Sequence, residues 1–473
     1  MKEKFMETQK QPANPAQRLQ YCRAVESAIW GMPIVAFDAM RQAFFRDAKA
    51  KYGDVVYLSK PADWKLQLAT PNNSVLYVYF NFNLSDGPLV IDIPTAGETG
   101  LFGSFTNAWQ RPIIDVGPEG TDQGEGGKYL LISPLMQYHI PDGYITVGCE
   151  TMNGYGALRV IPKTTSSADR ERALELIRRI RIYPVSKAAH PPVPNFIDMY
   201  GKLFDAIPRM DDTFYDSLAK MFQEERLPVR DLAMTAYLRS IGIQKGKEFK
   251  PDAKMRELLN SAIQETHHIL MDSFLLGETY WPDRQWKAIN PGNGVKTSFS
   301  FVEPTFYDLD ARGMTFFAAC APPIRLGKAS FYLTGVVDSK GEYFQGEERY
   351  HLKVPAKVPA RQFWSVTVYD LETAAFVRDS PKQTIDSYTL DLQNADGSID
   401  VYFGPTPPEG KEANWIKTEN GKRWFMFFRF YGPEKEVFDR TWKLPDVERT
   451  AIAGAAPLTR VAPVDQSNKR RQS

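Results

Sequence analysis

The sequence predicts an α+β, multidomain fold: a β-rich N-terminal module, a helical middle segment and a C-terminal antiparallel β-sandwich of jelly-roll type. Three observations carry this expectation. The chain has 473 residues, too many for one compact core. Aromatic residues make up 13%, which favours strands and wide buried surfaces over helix bundles. The apolar period also changes along the chain, from strand-like to helical after Ser166 and back after Trp281. The expected units are a disordered leader (1–17), a β-rich domain with a kinked helix (18–165), a helical segment (166–285), a β-sandwich (286–449) and a tail (450–473).

Leu19 to about Lys51 has helical periodicity, interrupted by Gly31, Met32 and Pro33. Proline removes a helix donor and clashes with the preceding turn, so two helices or a sharp kink are expected there. Strands follow at 75–82, 88–93, 128–133, 143–148 and 157–162; the first, VLYVYFNF, is apolar on both faces and so is expected to be buried on both. The Gly-rich loop 117–128 lies between strands. In the helical segment Ser166 or Ser167 is placed to cap a first helix, Asp212 precedes a second, a third covers roughly 229–241 and stops at Gly242, and Pro251-Asp252 opens a fourth. The stretch AAHPPVPNF (188–196) reads as a stiff connector. After Trp281, SFSFVE, MTFFAAC, SFYLTGVVD, QFWSVTVYD, SIDVYFG and RWFMFFRFYG read as strands separated by turns such as DSKGE and NADGS.

Composition excludes several functional classes. With 58 basic and 57 acidic residues the net charge is +1, so no global field favours nucleic acid or an anionic membrane. Cys22, Cys149 and Cys320 are scattered and form no CxxC pair, which fits a reducing compartment. The first residues lack an apolar signal core, and no run reaches the roughly 18 apolar residues of a membrane span, so a soluble, cytoplasmic protein is expected.

Recognisable site motifs fail one by one. The five histidines form neither HExxH nor HxH, and no metal or cofactor is expected. The segment from Asp308 through Asp310 and Arg312 to Gly313 begins like a calcium loop, but Arg312 and Ala319 stand where oxygen ligands are needed; it reads as a polar turn. Asn394 to Asp400 reads as a β-turn with Gly397 at positive φ. Asn293 to Thr297 lacks the glycine and the helix of a phosphate loop, and Gly100 to Ser104 is not a nucleophile elbow.

What remains is polar residues on apolar strands. In RWFMFFRFYG, period two puts Phe425, Phe427, Arg429 and Tyr431 on one face. Arg429 emerges from an aromatic surface and needs a carboxylate or a ligand. In QFWSVTVYD, Phe363, Ser365, Thr367 and Tyr369 share a face, with Asp370 at the strand end. Two readings stay open: an Arg429–Asp370 structural ion pair, or a ligand-facing cluster with Asp370 as acid/base, Arg429 as anion clamp, and Tyr369, Tyr431 and Trp415 as walls. In the N-terminal domain Asn72, Asn73, Tyr77 and Tyr79 are candidates for a pocket mouth, against the simpler reading of Asn72 and Asn73 as turn formers.

Residues 21–40 (YCRAVESAIWGMPIVAFDAM) and 70–94 (TPNNSVLYVYFNFNLSDGPLVIDIP) resemble the family called domain of unknown function 1254. Residues 363–376, 394–418 and 428–448 resemble domain of unknown function 1214, with Asn414-Trp415, Arg429, Tyr431-Gly432-Pro433 and the stretch Trp442 to Pro445 on its motif. The two commonly occur in tandem in this order. The resemblance implies a β-rich two-module protein with helices, often oligomeric, and brings no established reaction. The reading that follows is a protein handling a carbohydrate-like or carboxylate-bearing small molecule, as a hydrolase or lyase. The alternatives are a non-enzymatic binding protein, and a homo-oligomeric assembly protein with no ligand.

Overall fold

The computed structural model describes residues 14–164, 166–288, 299–324, 330–388 and 393–450. The expected tail, nearly all of the expected leader and the segment from Asn293 to Thr297 lie outside the described residues.

The chain opens on α1 (Pro15–Arg46), capped by Asn14, whose side chain accepts from the amide of Ala16, with Pro15 in the first turn where no donor is needed. The expected break at Pro33 does not occur: α1 runs through as one 32-residue helix. Pro33 cannot donate to the carbonyl of Ile29, and tertiary packing covers the consequence. Gly313 lies against that carbonyl so closely that a Cβ would come within 2.8 Å of it. The neighbouring carbonyl of Trp30 accepts from Arg312 at 2.7 Å, and that of Pro33 accepts from Gln110 at 3.1 Å. Residues from Ala24 to Phe44 are largely buried, so packing on all sides overrides the local penalty.

The N-terminal module contains β1 (Val55–Tyr57), β2 (Leu66–Gln67), β3 (Leu76–Asn83), β4 (Leu89–Ile93), β5 (Gly100–Asn107), β6 (Pro112–Val116), β7 (Gly127–Ile132), β8 (Ile145–Gly148), β9 (Asn153–Ile161), α2 (Ser167–Arg178), β10 (Arg181–Pro184), β11 (Phe196–Asp198) and β12 (Phe204–Asp205). A six-stranded sheet, β11-β1-β3-β9-β5-β6, packs on a four-stranded one, β10-β4-β7-β8. Val78, Phe80, Phe82, Leu158 and Val160 face Ile91, Tyr129 and Leu131 across the core between them. Both faces of β3 are covered, as its unbroken apolar run predicts.

The middle segment forms α3 (Phe214–Glu224), α4 (Leu232–Ser240) and α5 (Ala253–Leu275), with Asp252 capping α5 through the amide of Met255. Next come β13 (Lys287–Ala288) and α6 (Leu309–Ala318). Here the expectation of a strand at MTFFAAC is corrected. Asp308, expected in a polar turn, accepts from the amide of Ala311 and caps a helix. A short apolar run does not separate a buried strand from a buried helix; the cap decides it.

The C-terminal module holds β14 (Ser330–Gly335), β15 (Arg349–Val354), β16 (Ala360–Asp370), β17 (Thr384–Asp386), β18 (Ile399–Gly404), β19 (Trp415–Lys417), β20 (Trp424–Pro433), α7 (Lys435–Phe438) and β21 (Glu448–Thr450). An antiparallel sheet, β13-β14-β20-β16-β17, packs on β19-β18-β15-β21, in which only the β18–β19 pair is parallel. Trp364, Val366, Val368, Phe428 and Phe430 meet Leu352 and Val401 between the sheets. Gly397 has φ 77° in the turn before β18, as the NADGS sequence requires. The outer faces of the two large sheets are largely covered. Tyr79 and Tyr155 from one, and Tyr369, Phe425 and Phe427 from the other, join α1 and α3 to α6 in one continuous apolar core.

Candidate functional site

Strand β20 is the centre of its sheet, and all ten of its residues are buried. Its two faces go to different cores: Trp424, Met426, Phe428 and Phe430 to the sandwich interior, Phe425 and Phe427 to the helical layer. Arg429 and Tyr431 are on the helical side by period two. Register then fixes their neighbours: Arg429 lies opposite Ser365 on β16 and Tyr332 on β14, and Tyr431 opposite Phe363.

The Arg429 guanidinium is held by neutral groups. Nη1 donates to Thr367 Oγ1 at 2.9 Å; Nη2 donates to the Tyr369 hydroxyl at 2.5 Å and to the Thr70 carbonyl at 3.3 Å. The rings of Tyr332, Phe427 and Tyr369 surround it at 5.2, 5.2 and 5.5 Å. Thr70 belongs to the N-terminal module, whose turn through Ser74 closes the site. Tyr369 donates to the Pro71 carbonyl at 2.7 Å, Asn72 Nδ2 donates to the Tyr431 hydroxyl, and the Asn72 amide donates to the Tyr77 hydroxyl at 2.9 Å. Asn72 Oδ1 accepts from Ser74, the local turn bond expected of an asparagine. Thr70 itself has φ 43°, a costly backbone for a β-branched residue, fixed by its amide to Ala374 and its hydroxyl to Ala318.

A second arginine completes the cluster. Arg159 on β9 lies opposite Tyr77 and Phe102, with their rings at 5.7 and 6.0 Å. It makes no hydrogen bond within the described residues. Arg159, Tyr77 and Cys320 each keep part of their surface accessible. Arg159 and Arg429 both lie within electrostatic reach of Tyr77, Tyr332 and Tyr431. Among the described residues neither forms an ion pair with a carboxylate. Burial pushes the phenols of Tyr77, Tyr369 and Tyr431 above their ordinary range, so they are neutral at physiological pH. Burial likewise raises the Cys320 thiol to about 11.

Of the residues singled out in the sequence, Tyr369, Arg429, Tyr431, Asn72 and Tyr77 come together here, and Asn73 sits half-buried beside Asn72 in the same turn. Tyr79 lies farther along β3 in the helical core, bonded to Asn81. Asp370 is elsewhere. It lies opposite Trp424, five positions along β16 from Ser365, roughly 17 Å away, and by parity on the other face. Its Oδ1 accepts from the amides of Glu372 and Thr373 at 2.8 and 3.1 Å, and Lys422 is 3.3 Å from Oδ2. The Arg429–Asp370 ion pair is therefore corrected to an Asp370–Lys422 pair at the end of the strand. Asn414 donates to the Asp400 carbonyl and Trp415 to that of Gly404, bracing β18 against β19 in the other sheet. Arg159, Tyr332, Thr70 and Thr367 were not singled out from the sequence. Arg159 carried the same signal as Arg429, a charged residue inside an apolar strand. An open cleft beside α1, walled by Gln42, Arg46, Asp205 and Phe214, has about 80 Å³, space for a handful of waters, and lies outside this cluster.

The two halves of the cluster correspond to two families. Residues 54–184 match the protein of unknown function DUF1254, and residues 329–435 match the protein of unknown function DUF1214. The chain carries a DUF1254 match followed by a DUF1214 match, in tandem. Arg159 and the Thr70–Ser74 turn lie in the DUF1254 module, Tyr332, Tyr369, Arg429 and Tyr431 in the DUF1214 module. The fold is shared with the crystallised VPA0106 protein of Vibrio parahaemolyticus, which is 14% identical, with a TM-score of 0.52 over 91% of this chain and 100% of that one. An uncharacterized protein from Burkholderia cenocepacia is 13% identical, with a TM-score of 0.38 over 93% of this chain and 90% of that one. No functionally curated protein matches the chain. No helix among the described residues is long and apolar enough to cross a membrane, and none of them form a group of three metal-ligating side chains.

Proposed function

We propose that this protein binds a small carboxylate-bearing molecule between its DUF1254 and DUF1214 modules, in the pit formed by Arg159, Arg429, Tyr77, Tyr332 and Tyr431. One observation carries the reading: two guanidinium groups share one set of neutral phenols, with no carboxylate paired to either among the described residues. A buried charge is costly unless paired, and a guanidinium does not escape by losing its proton. A ligand carboxylate supplies the missing partner, with the flat aromatic rings as walls. The left-handed Thr70, whose carbonyl faces Arg429, is the kind of strained residue that clusters at ligand clamps.

Binding is better supported than hydrolysis or lysis. The phenols are pushed toward the neutral form, and Asp370 is engaged at the far end of its strand. A neutral sugar would leave both charges unpaired. Assembly through the aromatic strands has less support, because β20 is buried within its own chain.

The test is a thermal-shift screen of benzoate, pyruvate and similar carboxylates, each beside its neutral amide, on the wild type and on Arg159→Gln. Arg159 makes no hydrogen bond among the described residues, so this variant should fold. Carboxylates should raise the melting temperature of the wild type and amides should not, and the variant should lose most of the effect. Equal shifts from acid and amide, or equal shifts in both proteins, would overturn the reading.

A further inference from the structure

Arg159 and Arg429 come from different modules, and this sets the charge of the ligand. Arg429 reaches the site on β20 of the DUF1214 module, where its Nη1 and Nη2 are bonded to Thr367, Tyr369 and Thr70. Arg159 reaches it on β9 of the DUF1254 module beside the rings of Tyr77 and Phe102, and forms no hydrogen bond among the described residues. Each arginine carries one full positive charge at any physiological pH. The groups around them contribute no formal negative charge: Tyr77, Tyr332, Tyr369 and Tyr431 are phenols, Thr367, Ser365 and Asn72 are neutral, and Cys320 is held as a thiol by burial. Ser365 Oγ, fully buried opposite Arg429, has no hydrogen-bond partner among the described residues. The two arginines thus bring two positive charges, one from each module, and among the described residues no carboxylate is paired to either.

Resting on the reading above, we infer that the ligand is a dianion, with one negative charge taken by Arg159 and the other by Arg429, so that it bridges the two modules. A monoanion satisfies one guanidinium and leaves the other buried and unpaired. A dianion satisfies both, and because each hydrogen bond to a charged group is worth more than a neutral one, the second charge adds directly to affinity. Two chemistries provide the charge: a dicarboxylate with its groups at opposite ends, and a phosphate with both charges on one centre.

The experiment titrates the full chain near neutral pH by calorimetry with succinate, its monomethyl ester and inorganic phosphate. The ester keeps the carbon body and removes one charge. Succinate should bind about tenfold or more tightly than the ester; phosphate alone doing so would keep the dianion and overturn the carboxylate reading. In Arg159→Gln binding of all three should weaken and that preference should fall close to one. Arg159→Lys should restore part of the preference, since it returns the charge without the fork. Equal wild-type binding of succinate, phosphate and ester overturns the dianion inference and leaves the carboxylate reading standing, as does an unchanged preference in Arg159→Gln. Absence of binding by all three overturns both.

Discussion

Removing the Tyr369 hydroxyl is the most direct perturbation of the contact between the modules. That oxygen accepts from Arg429 Nη2 at 2.5 Å and donates to the Pro71 carbonyl at 2.7 Å, across 298 positions of sequence, and the side chain is fully buried. Tyr369→Phe keeps the ring and its stacking on Phe376 and Phe425, so the change isolates two hydrogen bonds. The bond from the guanidinium belongs to the charged class, about 1.5–3 kcal/mol, and the bond to Pro71 to the neutral class, about 0.5–1.5 kcal/mol. No water reaches the vacated donors and acceptors cheaply, so their sum, about 2–4.5 kcal/mol, is the expected loss. The assay is urea unfolding followed by tryptophan fluorescence, with Tyr388→Phe as control: that side chain is 58% exposed and its hydroxyl should matter by less than about 0.5 kcal/mol. Asn72→Ala, made in the same background, should couple to Tyr369→Phe, because both side chains fix the same Thr70–Ser74 turn. A Tyr369→Phe protein within about 0.5 kcal/mol of wild type would refute the interface as drawn.

Two further outcomes follow from packing and burial. Gly156→Ala should destabilise the DUF1254 module by about 1–3 kcal/mol, since the new Cβ would sit 2.1 Å from the Phe80 ring across β3 and β9; Gly148→Ala, which meets open space, should be neutral, and equal unfolding midpoints for the two would count against the register. Cysteine alkylation should be ordered by exposure and acidity: Cys22 is exposed and should react first at pH 8, whereas burial holds the Cys149 and Cys320 thiols up at about 11, leaving only about one part in a thousand as reactive thiolate. Their labelling, read by peptide mass spectrometry, should rise about tenfold per pH unit toward that value, and modification of Cys320 as fast as Cys22 at pH 8 would contradict its placement.

The elements legible in the sequence are those whose signals are local. Ser166 and Asp252 cap α2 and α5 as their side chains predict, Gly397 turns where φ must be positive, and the runs at β3, β16 and β20 are strands. The misreadings are the places where distant contacts decide. Pro33 breaks an isolated helix, but Gly313, Arg312 and Gln110 cover the carbonyls around it from other parts of the chain. MTFFAAC has a strand's composition, yet Asp308 starts a helix that packs against α1. For the site, alternation identified the face carrying Arg429 and Tyr431 and the face carrying Tyr369, but not which residue stands beside which. Asp370 and Tyr369 are chain neighbours, so alternation alone sets them on opposite faces; register then shows that Tyr369 is the one Arg429 reaches.

The same contacts give a physical reason for the two families to occur together in one chain. Polar groups of the two modules bond across the boundary: the carbonyls of Thr70 and Pro71 and the Asn72 side-chain amide on one side, the Tyr369 and Tyr431 hydroxyls and Arg429 Nη2 on the other. They are embedded in an apolar core that also runs from one sheet through the helices to the other. Separating the modules would expose that core, and leave any partly dry remnant with donors and acceptors unpaired at a cost of about 1–3 kcal/mol each. Water would satisfy them only by entering the face that Phe425 and Phe427 pack against the helices. Neither module is therefore a complete folding unit in the way its own two-sheet sandwich suggests, and neither half of the arginine pair has its surroundings without the other. The arginine cluster and the boundary between the families are one structure, which is why alternation along a single strand could find half of it and no more.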